Sequence, residues 1–321
     1  MKIEDCYNKD FVFVDVRTPK EFEEDTIPLA INIPLFENDE RAVIGTIYKK
    51  ESKEKAIEKG FEIVQPKLDK IYKQLKKLNK PIIVFCWRGG MRSGSVASLF
   101  SKLGLNIQQL DGGYKLYRAF VREQLKTIDL PNSLVLYGLT GVGKTELIKN
   151  LSNCIDLEGL AQHRASILGD INLNPNSQKK FESLLLKRIL ETQKEKFIIL
   201  ECESRKIGKT TLPECIYKKI KQPWKTVLLD KSIDERVKIL KDTYCVNVPK
   251  QELIHKLKLI KQHLGEKTLN ELIQNIEKDN LEEAIKIMLI NYYDIHYKKL
   301  FHEFNHTVKT DKEFLGLIKN L

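Results

Sequence analysis

Residues 138–145 read G-L-T-G-V-G-K-T and match the phosphate-binding pattern G-x-x-x-x-G-K-[ST] in full. The apolar run 133–137 precedes them and predicts a strand, and the residues that follow have helical spacing. A strand, this loop and a helix, in that order, form the context in which the pattern binds phosphate. The stretch therefore predicts an α/β domain with a phosphate-binding loop (P-loop).

The P-loop carries the groups that a bound diphosphate needs. Gly138, Gly141 and Gly143 let the backbone curl so that its amides face one anion at the start of a helix. Lys144 would neutralise phosphate charge, and the hydroxyl of Thr145 is a candidate magnesium ligand. The residues alone leave open whether the diphosphate belongs to ATP or to another molecule.

Two acidic residues follow the next predicted strand, residues 197–200. Glu201 and Glu203 stand where P-loop proteins often carry a magnesium-binding acid, although Asp is the usual residue there. We expect them to lie near the P-loop. A solvated strand end is the alternative interpretation.

A second reactive loop lies upstream. Residues 86–93 read C-W-R-G-G-M-R-S, between the apolar run 81–85 and the amphipathic stretch 93–103. Amides at a helix N-terminus bind anions and favour a thiolate over a thiol. The sequence therefore predicts a reactive thiolate at Cys86, with a buried structural cysteine as the alternative.

The other residues of the cysteine loop also suit an anion. Gly89 and Gly90 permit a sharp backbone path, and Arg88 and Arg92 add positive charge that favours the thiolate. A thiolate held by amide donors can attack or carry a sulfur, selenium or phosphorus atom. This loop is thus a candidate catalytic site.

Strands alternate with helices on both sides of the chain's midpoint, which predicts two α/β domains with parallel sheets. A break near residues 127–132 places a first domain at residues 1–126 and a second at 132–321. Residues 53–78 have helical spacing with an interruption at Gly60, and residues 232–321 are helical in pattern.

Composition narrows the partner and the compartment. The 321 residues carry a net charge of +11, which favours a polyanion such as nucleic acid, although a lysine-rich composition explains the excess as well. The chain has no apolar run long enough for a transmembrane helix and no signal-peptide pattern at its start, which predicts a cytoplasmic protein without a membrane partner. Its six cysteines form no C-x-x-C pair, so we expect thiols rather than a zinc site.

Three stretches of the first domain resemble the rhodanese superfamily. Residues 15–22 read D-V-R-T-P-K-E-F, residues 27–34 read I-P-L-A-I-N-I-P, and residues 111–114 read D-G-G-Y. The resemblance implies that the loop cysteine carries a chalcogen. Cys86 and Arg92 enclose five residues, whereas many rhodaneses have four, and cysteine-dependent phosphatases also have five.

Further stretches are similar to the tRNA 2-selenouridine synthase family, in which a rhodanese-like domain is fused to a P-loop domain. The loop C-W-R-G-G-M-R-S matches that family at every residue. Similar stretches in both domains are E-R-A-V-I-G-T-I-Y-K at 40–49, L-E-G-L-A-Q-H-R at 157–164, E-C-E-S-R-K-I-G at 201–208 and Y-D-I-H-Y at 293–297.

The chain departs from that family at a few positions. Ala165 replaces a usual glycine, Cys202 replaces a usual serine, and Asp25 with Thr26 replaces a usual Gly-His pair. None of these changes removes a proposed reacting group, so they concern only local loop geometry.

The resemblance implies a transferase that acts on wobble 2-thiouridine in tRNA. In this family the sulfur is first alkylated with a geranyl group from geranyl diphosphate, and selenophosphate then supplies selenium as the alkylated sulfur leaves. The implied partners are tRNA and an enzyme that supplies selenophosphate. Magnesium is a candidate cofactor, and nucleotide binding stays open.

The resemblance also implies roles for residues. The P-loop would bind the diphosphate of geranyl diphosphate, and the Cys86 loop would bind selenophosphate and handle the selenium, with a covalent selenosulfide left open. The remaining candidate substrate contacts are His163, Arg164, Glu201, Glu203 and Arg205.

Basic residues between 205 and 225, with Trp224 among them, could follow a tRNA backbone, or could form a solvated charged face. Two other functions compete with tRNA modification. One is a P-loop ATPase or kinase fused to a sulfurtransferase or cysteine phosphatase. The other is a nucleic-acid-binding regulator that uses a degenerate rhodanese fold as a sensor, which the intact Cys86 and P-loop disfavour.

Overall fold

The computed structural model describes residues 1–244, 248–297 and 303–321. Cys245 lies outside the described residues, as do the side chains of His296 and Tyr297. The fold divides into two compact units, one of Met1–Thr127 with Glu182–Leu190 and one of Ile128–Phe181 with Glu191–Leu321. In the described part of the chain no helix has the length and apolar character that crossing a membrane requires.

The first unit contains a parallel sheet in the order β2-β1-β3-β4. β3 is buried along its whole length, as expected for a central strand made of β-branched and aromatic residues. The strands of this sheet are β1 (Val12–Asp15), β2 (Ile31–Asn32), β3 (Ile82–Phe85) and β4 (Ile107–Gln109).

Helices surround this sheet and bury Val14, Val84, Ile71, Leu75 and Phe100 against it. They are α1 (Ile3–Cys6), α2 (Pro19–Glu24), α3 (Asn38–Lys50), α4 (Lys53–Val64), α5 (Leu68–Lys76), α6 (Met91–Lys102) and α7 (Gly113–Thr127).

The helix predicted over residues 53–78 is in fact two helices, α4 and α5. The interruption predicted at Gly60 is wrong, because Gly60 lies inside α4. The break comes at a 3-10 turn, Gln65–Lys67, where Pro66 cannot donate a backbone hydrogen bond.

The second unit contains another parallel sheet, in the order β10-β9-β5-β6, so the α/β prediction is confirmed for both halves of the chain. The same unit also contains a separate antiparallel pair, β7 and β8. The strands are β5 (Asn132–Tyr137), β6 (Phe197–Glu201), β7 (Lys206–Ile207), β8 (Thr210–Thr211), β9 (Lys225–Leu229) and β10 (His306–Val308).

The helical prediction for residues 232–321 is confirmed for most of its length but misses β10. That strand has three residues, and only Val308 is buried, so it leaves no apolar run in the sequence. The α-helices that follow β5 along the described chain are α8 (Lys144–Ile148), α9 (Leu157–Ala161), α10 (Gln178–Thr192), α11 (Glu214–Lys221), α12 (Ile233–Tyr244), α13 (Lys250–Leu259), α14 (Lys261–Leu264), α15 (Glu266–Glu277), α16 (Leu281–Met288), α17 (Asp294–Tyr297) and α18 (Asp311–Lys319). Most of α10, Glu182–Leu190, belongs to the first unit.

Candidate active site

The sulfur of Cys86 lies between the end of β3 and the start of α6, where polar donors surround it. The side-chain hydroxyl of Ser93 donates a hydrogen bond to the sulfur at 3.2 Å. The backbone amides of Gly90 and Ser93 point at it as well. Because α6 begins at Met91, these amides belong to a helix N-terminus, where an anion is stabilised.

These contacts decide the charge of the thiol. Burial alone would raise the pKa of Cys86, since only 3% of the residue is exposed. The hydrogen bonds from Ser93 and Gly90 and the charge of Arg92 outweigh burial, and the pKa lies below the usual thiol value. The loop therefore favours a thiolate.

The two arginines of the loop differ in their surroundings. The guanidinium of Arg92 pairs with the carboxylate of Glu21 at 3.1 Å, which fixes its position beside the loop. Burial raises the pKa of Glu21, but Arg92 and the backbone of Thr18 bring it below the usual value. Arg88 is exposed to solvent. Arg92 thus shapes the loop, while Arg88 is accessible to an incoming anion.

Arg17 and Asp15 anchor the same region from β1. Arg17 is almost fully buried, and its guanidinium binds both carboxylate oxygens of Asp15 at 2.7–3.0 Å. The guanidinium also lies 3.9 Å from the centre of the Tyr114 ring. A charged group is held here by a bidentate partner and an aromatic face, so the D-V-R stretch serves the scaffold.

The D-G-G-Y turn closes over the cysteine loop. The amide of Tyr114 donates to the carbonyl of Cys86 at 2.9 Å. A Cβ atom on Gly113 would lie 2.3 Å from that carbonyl oxygen, and the φ of Gly113 is +56°. Only glycine meets both conditions, which explains why this turn contains it.

The P-loop has the curled backbone of an anion cradle. Gly141 and Gly143 have φ values of +89° and +82°, the left-handed region that favours glycine. The ammonium of Lys144 donates to the carbonyl of Gly138 at 3.0 Å, across the mouth of the loop. An anion that entered the loop would compete for that ammonium.

The hydroxyl of Thr145 lies between two carboxylates. Its oxygen is 3.1 Å from Oε2 of Glu158 and 3.1 Å from Oε2 of Glu201. A hydroxyl has one proton to donate, so it satisfies both carboxyl groups fully when one of them is protonated and donates in return. The geometry thus points to at least one neutral glutamic acid at this position.

The pKa shifts of these carboxyl groups agree with a neutral glutamic acid at this position. Burial raises the pKa of Glu158, Glu201 and Glu203, and repulsion from neighbouring carboxylates raises it further, while Lys144 lowers it. For Glu203 the pKa reaches about 8. Three carboxyls around one lysine cannot all carry charge at low cost.

This cluster also fits a magnesium ion of the P-loop type. Oε1 of Glu201 is buried without a hydrogen-bond partner, and it belongs to the carboxylate that contacts Thr145. Within the described ranges no three His, Cys, Asp or Glu side chains form a ready-made metal cage. Magnesium at phosphate sites needs only one or two protein oxygens, and Thr145 and Glu201 would supply them.

Comparison with known proteins identifies the family of the chain. Residues 131–314 match the family described as the tRNA 2-selenouridine synthase AAA domain, and residues 3–120 match the rhodanese-like domain. The chain is 32% identical to the tRNA 2-selenouridine synthase of Shewanella halifaxensis, over 90% of this chain and 88% of that protein. It is 31% identical to the enzyme of the same name from Shewanella pealeana, over the same shares.

The chain belongs to the tRNA 2-selenouridine synthase family. One solved structure is the N-terminal domain of a protein described as ATP/GTP binding from Clostridium difficile 630, and its sequence is 54% identical to the matching part of this chain. The match covers 38% of this chain and 97% of that one, with a TM-score of 0.37.

In the family segment L-E-G-L-A-Q-H-R, the side chains of His163 and Arg164 have different contacts. His163 packs between two glycines, since a Cβ on Gly169 or Gly208 would lie 2.7 or 2.5 Å from its ring. Burial lowers the pKa of His163, and its Nδ1 is buried without a hydrogen-bond partner. Arg164 donates to the carbonyl of Ile171 at 2.9 Å. Both side chains help shape this loop.

Arg205 of the synthase segment E-C-E-S-R-K-I-G pairs with Glu214 at 2.9 Å, and its guanidinium lies 5.2 Å from the centre of the Tyr217 ring. Its role as a substrate contact stays a prediction. Two other cations, absent from the sequence-based prediction, lie close to the P-loop. Lys231 has its ammonium 3.9 Å from the Cβ position of Gly143, and Arg236 donates to the carbonyl of Thr140 at 2.9 Å.

Sequence reasoning missed Lys231 and Arg236 because neither lies in a phosphate-binding pattern. The family motif Y-D-I-H-Y contained a signal from which Arg236 could have been predicted, since Asp294 of this motif pairs with Arg236 inside the second unit. A buried acid in a motif needs a buried cation, and Arg236 is that cation.

An apolar cavity of about 70 Å³ lies beside the P-loop. Thr140 contributes one wall, and the other walls come from leucine, isoleucine and methionine side chains of the C-terminal helices together with Tyr293. Such walls suit an alkyl chain and offer few partners to a polar ring.

Proposed function

We propose that the chain converts wobble 2-thiouridine in tRNA to 2-selenouridine in two transfers. The first attaches a geranyl group from geranyl diphosphate to the sulfur, and the second exchanges the geranylated sulfur for selenium from selenophosphate. The observation that most directly supports this proposal is the Cys86 loop, where Ser93 and helix amides stabilise a thiolate. Membership in the tRNA 2-selenouridine synthase family supports the substrate.

The first transfer is proposed at the P-loop. The bond between the geranyl C1 and the diphosphate oxygen breaks, a C1–sulfur bond forms, and the base loses its N3 proton. Loop amides and Lys144 would stabilise the departing diphosphate, with Lys231 nearby. Magnesium held by Thr145 and Glu201 would supply further positive charge to that leaving group.

The apolar cavity at Thr140 favours this donor over a nucleotide. An isoprenoid diphosphate has a charged head for the P-loop and an alkyl tail, and a cavity of about 70 Å³ would hold one part of that tail. An adenine ring would place its polar edge against leucine and isoleucine, where it would lose hydrogen bonds to water without replacement. We therefore expect activity without ATP.

The second transfer is proposed at the cysteine loop. A carbon–selenium bond forms at C2 of the base, the carbon–sulfur bond breaks, and geranylthiol leaves with a proton. Water cleaves the selenium–phosphorus bond and releases phosphate, and N3 of the base regains its proton. Alkylation makes the sulfur a better leaving group. The amides of the loop and Arg88 would hold selenophosphate, and the Cys86 thiolate would take part in the transfer of its selenium atom to the base.

The proposal is tested with a 2-thiouridine stem-loop RNA, geranyl diphosphate and selenophosphate, followed by mass spectrometry of the nucleosides. Cys86→Ala should accumulate S-geranyl-2-thiouridine, and Lys144→Ala should leave 2-thiouridine unreacted. Cys215→Ala, at a half-buried cysteine of α11, is the matched control and should resemble the unchanged protein. Unreacted 2-thiouridine in every reaction would refute the function, and loss of both transfers in a folded Cys86→Ala protein would refute the division of roles.

A further inference from the structure

The first unit contains a large groove that the reactions at the cysteine loop do not by themselves explain. It has a volume of about 1350 Å³ and runs between α3, α4 and α6. Cys86 lies at its wall, together with Trp87 and Arg88 of the same loop. A selenophosphate ion needs only the loop amides, so most of this space must serve something else.

Large apolar side chains line the groove and are nevertheless exposed. Phe61 is 64% exposed and Tyr48 is 60% exposed, although both could have been polar at no cost to the helices. Exposed apolar residues gathered in one trough mark a binding site. The ones that line it are Tyr48, Ile57, Phe61, Trp87, Met91 and Leu99.

Cationic residues of α3 and of the first position of α4 also line the groove, and we call them its basic side. Arg41, Lys49, Lys50 and Lys53 line it, and none of its lining residues, all from the fully described stretch 35–100, is an aspartate or glutamate. A lining that is apolar in part and cationic in part fits a ligand that joins an apolar chain to a phosphate backbone. A free fatty chain or an anion alone would match only half of it.

We propose that this groove binds the geranyl chain of the S-geranylated base while the RNA backbone lies along the basic side. This inference rests on the proposed function, which supplies a geranyl thioether as the substrate of the second transfer. With the chain in the trough, the C2–sulfur bond of the base lies beside Cys86. Each buried methylene strengthens binding about fourfold, so the site selects the alkylated base over 2-thiouridine.

Such a groove orders the two transfers. A base that has not been alkylated gains nothing from Phe61 and Ile57, and it binds only through its phosphates. Selenium is therefore delivered to bases that already carry a good leaving group.

The groove is tested first by binding, without any turnover. In the full chain with Trp224→Phe, Trp87 is the remaining tryptophan, and it lines the groove. Its fluorescence is titrated with the nucleosides S-geranyl-2-thiouridine and S-methyl-2-thiouridine. We expect at least tenfold tighter binding of the geranyl nucleoside, and Ile57→Gln with Phe61→Gln should reduce that preference to about twofold.

Leu103→Gln is the matched control, because Leu103 is 54% exposed in the same unit and does not line the groove. It should retain the tenfold preference. An equal affinity of the unchanged groove for both nucleosides, or a preference that survives in the double variant, would overturn the inference.

A second measurement separates this inference from the proposed function. RNA with preformed S-geranyl-2-thiouridine is given selenophosphate, and the KM for selenation is compared with that of S-methyl RNA. The double variant should raise the KM for the geranyl RNA about tenfold and bring the two KM values together. If the unchanged protein selenates neither RNA, the proposed function fails while the binding result still judges the groove.

Discussion

Arg236 and Asp294 form a two-point ion pair inside the second unit, with nitrogen–oxygen distances of 3.0 and 2.6 Å. The same guanidinium donates through Nε to the carbonyl of Thr140 in the P-loop. The C-terminal helices thereby hold one end of the anion cradle in place. Thr140 also borders the apolar cavity, so the ion pair positions both parts of the proposed geranyl diphosphate site.

We predict that Asp294→Asn destabilises the second unit by about 3–5 kcal/mol, because it leaves the buried charge of Arg236 without its partner. Misplacement of Thr140 should also weaken the binding of inorganic pyrophosphate. Urea unfolding and calorimetric titration measure the two effects. Asp234→Asn, whose carboxylate is exposed and 3.9 Å from Lys286, should change stability by less than about 0.5 kcal/mol. Equal stability of the two variants would contradict the prediction.

Much of the fold could be predicted from local patterns in the sequence. The buried strands β3 and β5 are continuous apolar runs, and each is followed by a glycine-containing loop and a helix, so both loops and both sheets could be predicted. β10 could not, because a strand of three residues at a sheet edge carries no periodicity. Nor could the break at Pro66 be distinguished from one at Gly60 by spacing alone.

The candidate site could be predicted from the sequence only where its reactive residues lie in one contiguous motif. Cys86 and Lys144 lie in such motifs, whereas Ser93 acts on Cys86 through a side-chain contact that its place in the motif does not reveal. The basic side and the apolar lining of the groove come from α3, α4 and α6 together. Packing of separate helices creates that surface, and no single segment contains its pattern.

Ala165 has a φ of +42°, in the region where a side chain is strained. It stands where the family usually has glycine, and its backbone explains that usage. We predict that Ala165→Gly stabilises the second unit by about 1 kcal/mol, since glycine adopts this conformation without strain. Ala284→Gly, in the interior of α16, should destabilise by about 1 kcal/mol or more. Urea unfolding measures both, and a loss of stability in Ala165→Gly would contradict the assignment.

Ser93→Ala should raise the pKa of the Cys86 thiol, because it removes the side-chain donor that favours the thiolate. The pH midpoint for alkylation of Cys86 by iodoacetamide should move to higher pH. At pH 6 the variant should react several-fold more slowly, and the difference should vanish once both thiols are ionised. Peptide mass spectrometry isolates Cys86 from the other cysteines, and burial raises the pKa of Cys6 to about 11, so that thiol reacts slowly. Ser101→Ala, on an exposed part of α6, should leave the midpoint unchanged.

Glu203 makes stability depend on pH in a stated direction. Its pKa is about 8 in the folded protein against 4.5 for an ordinary glutamate, so between these values the folded state holds a proton that the unfolded state has lost. This contribution to the free energy of unfolding is present in full below about pH 4.5 and is lost as the pH rises through 8.

We therefore predict that the second unit loses on the order of 1–3 kcal/mol between pH 5 and pH 8, and that Glu203→Gln loses distinctly less. Glutamine keeps the neutral shape of the protonated acid and cannot ionise. Urea unfolding at pH 5, 6.5 and 8, followed by Trp224 fluorescence in a Trp87→Phe background, measures the slopes. Glu271→Gln on an exposed face of α15 should keep the original slope, and a Glu203→Gln slope equal to it would show that Glu203 is ionised throughout.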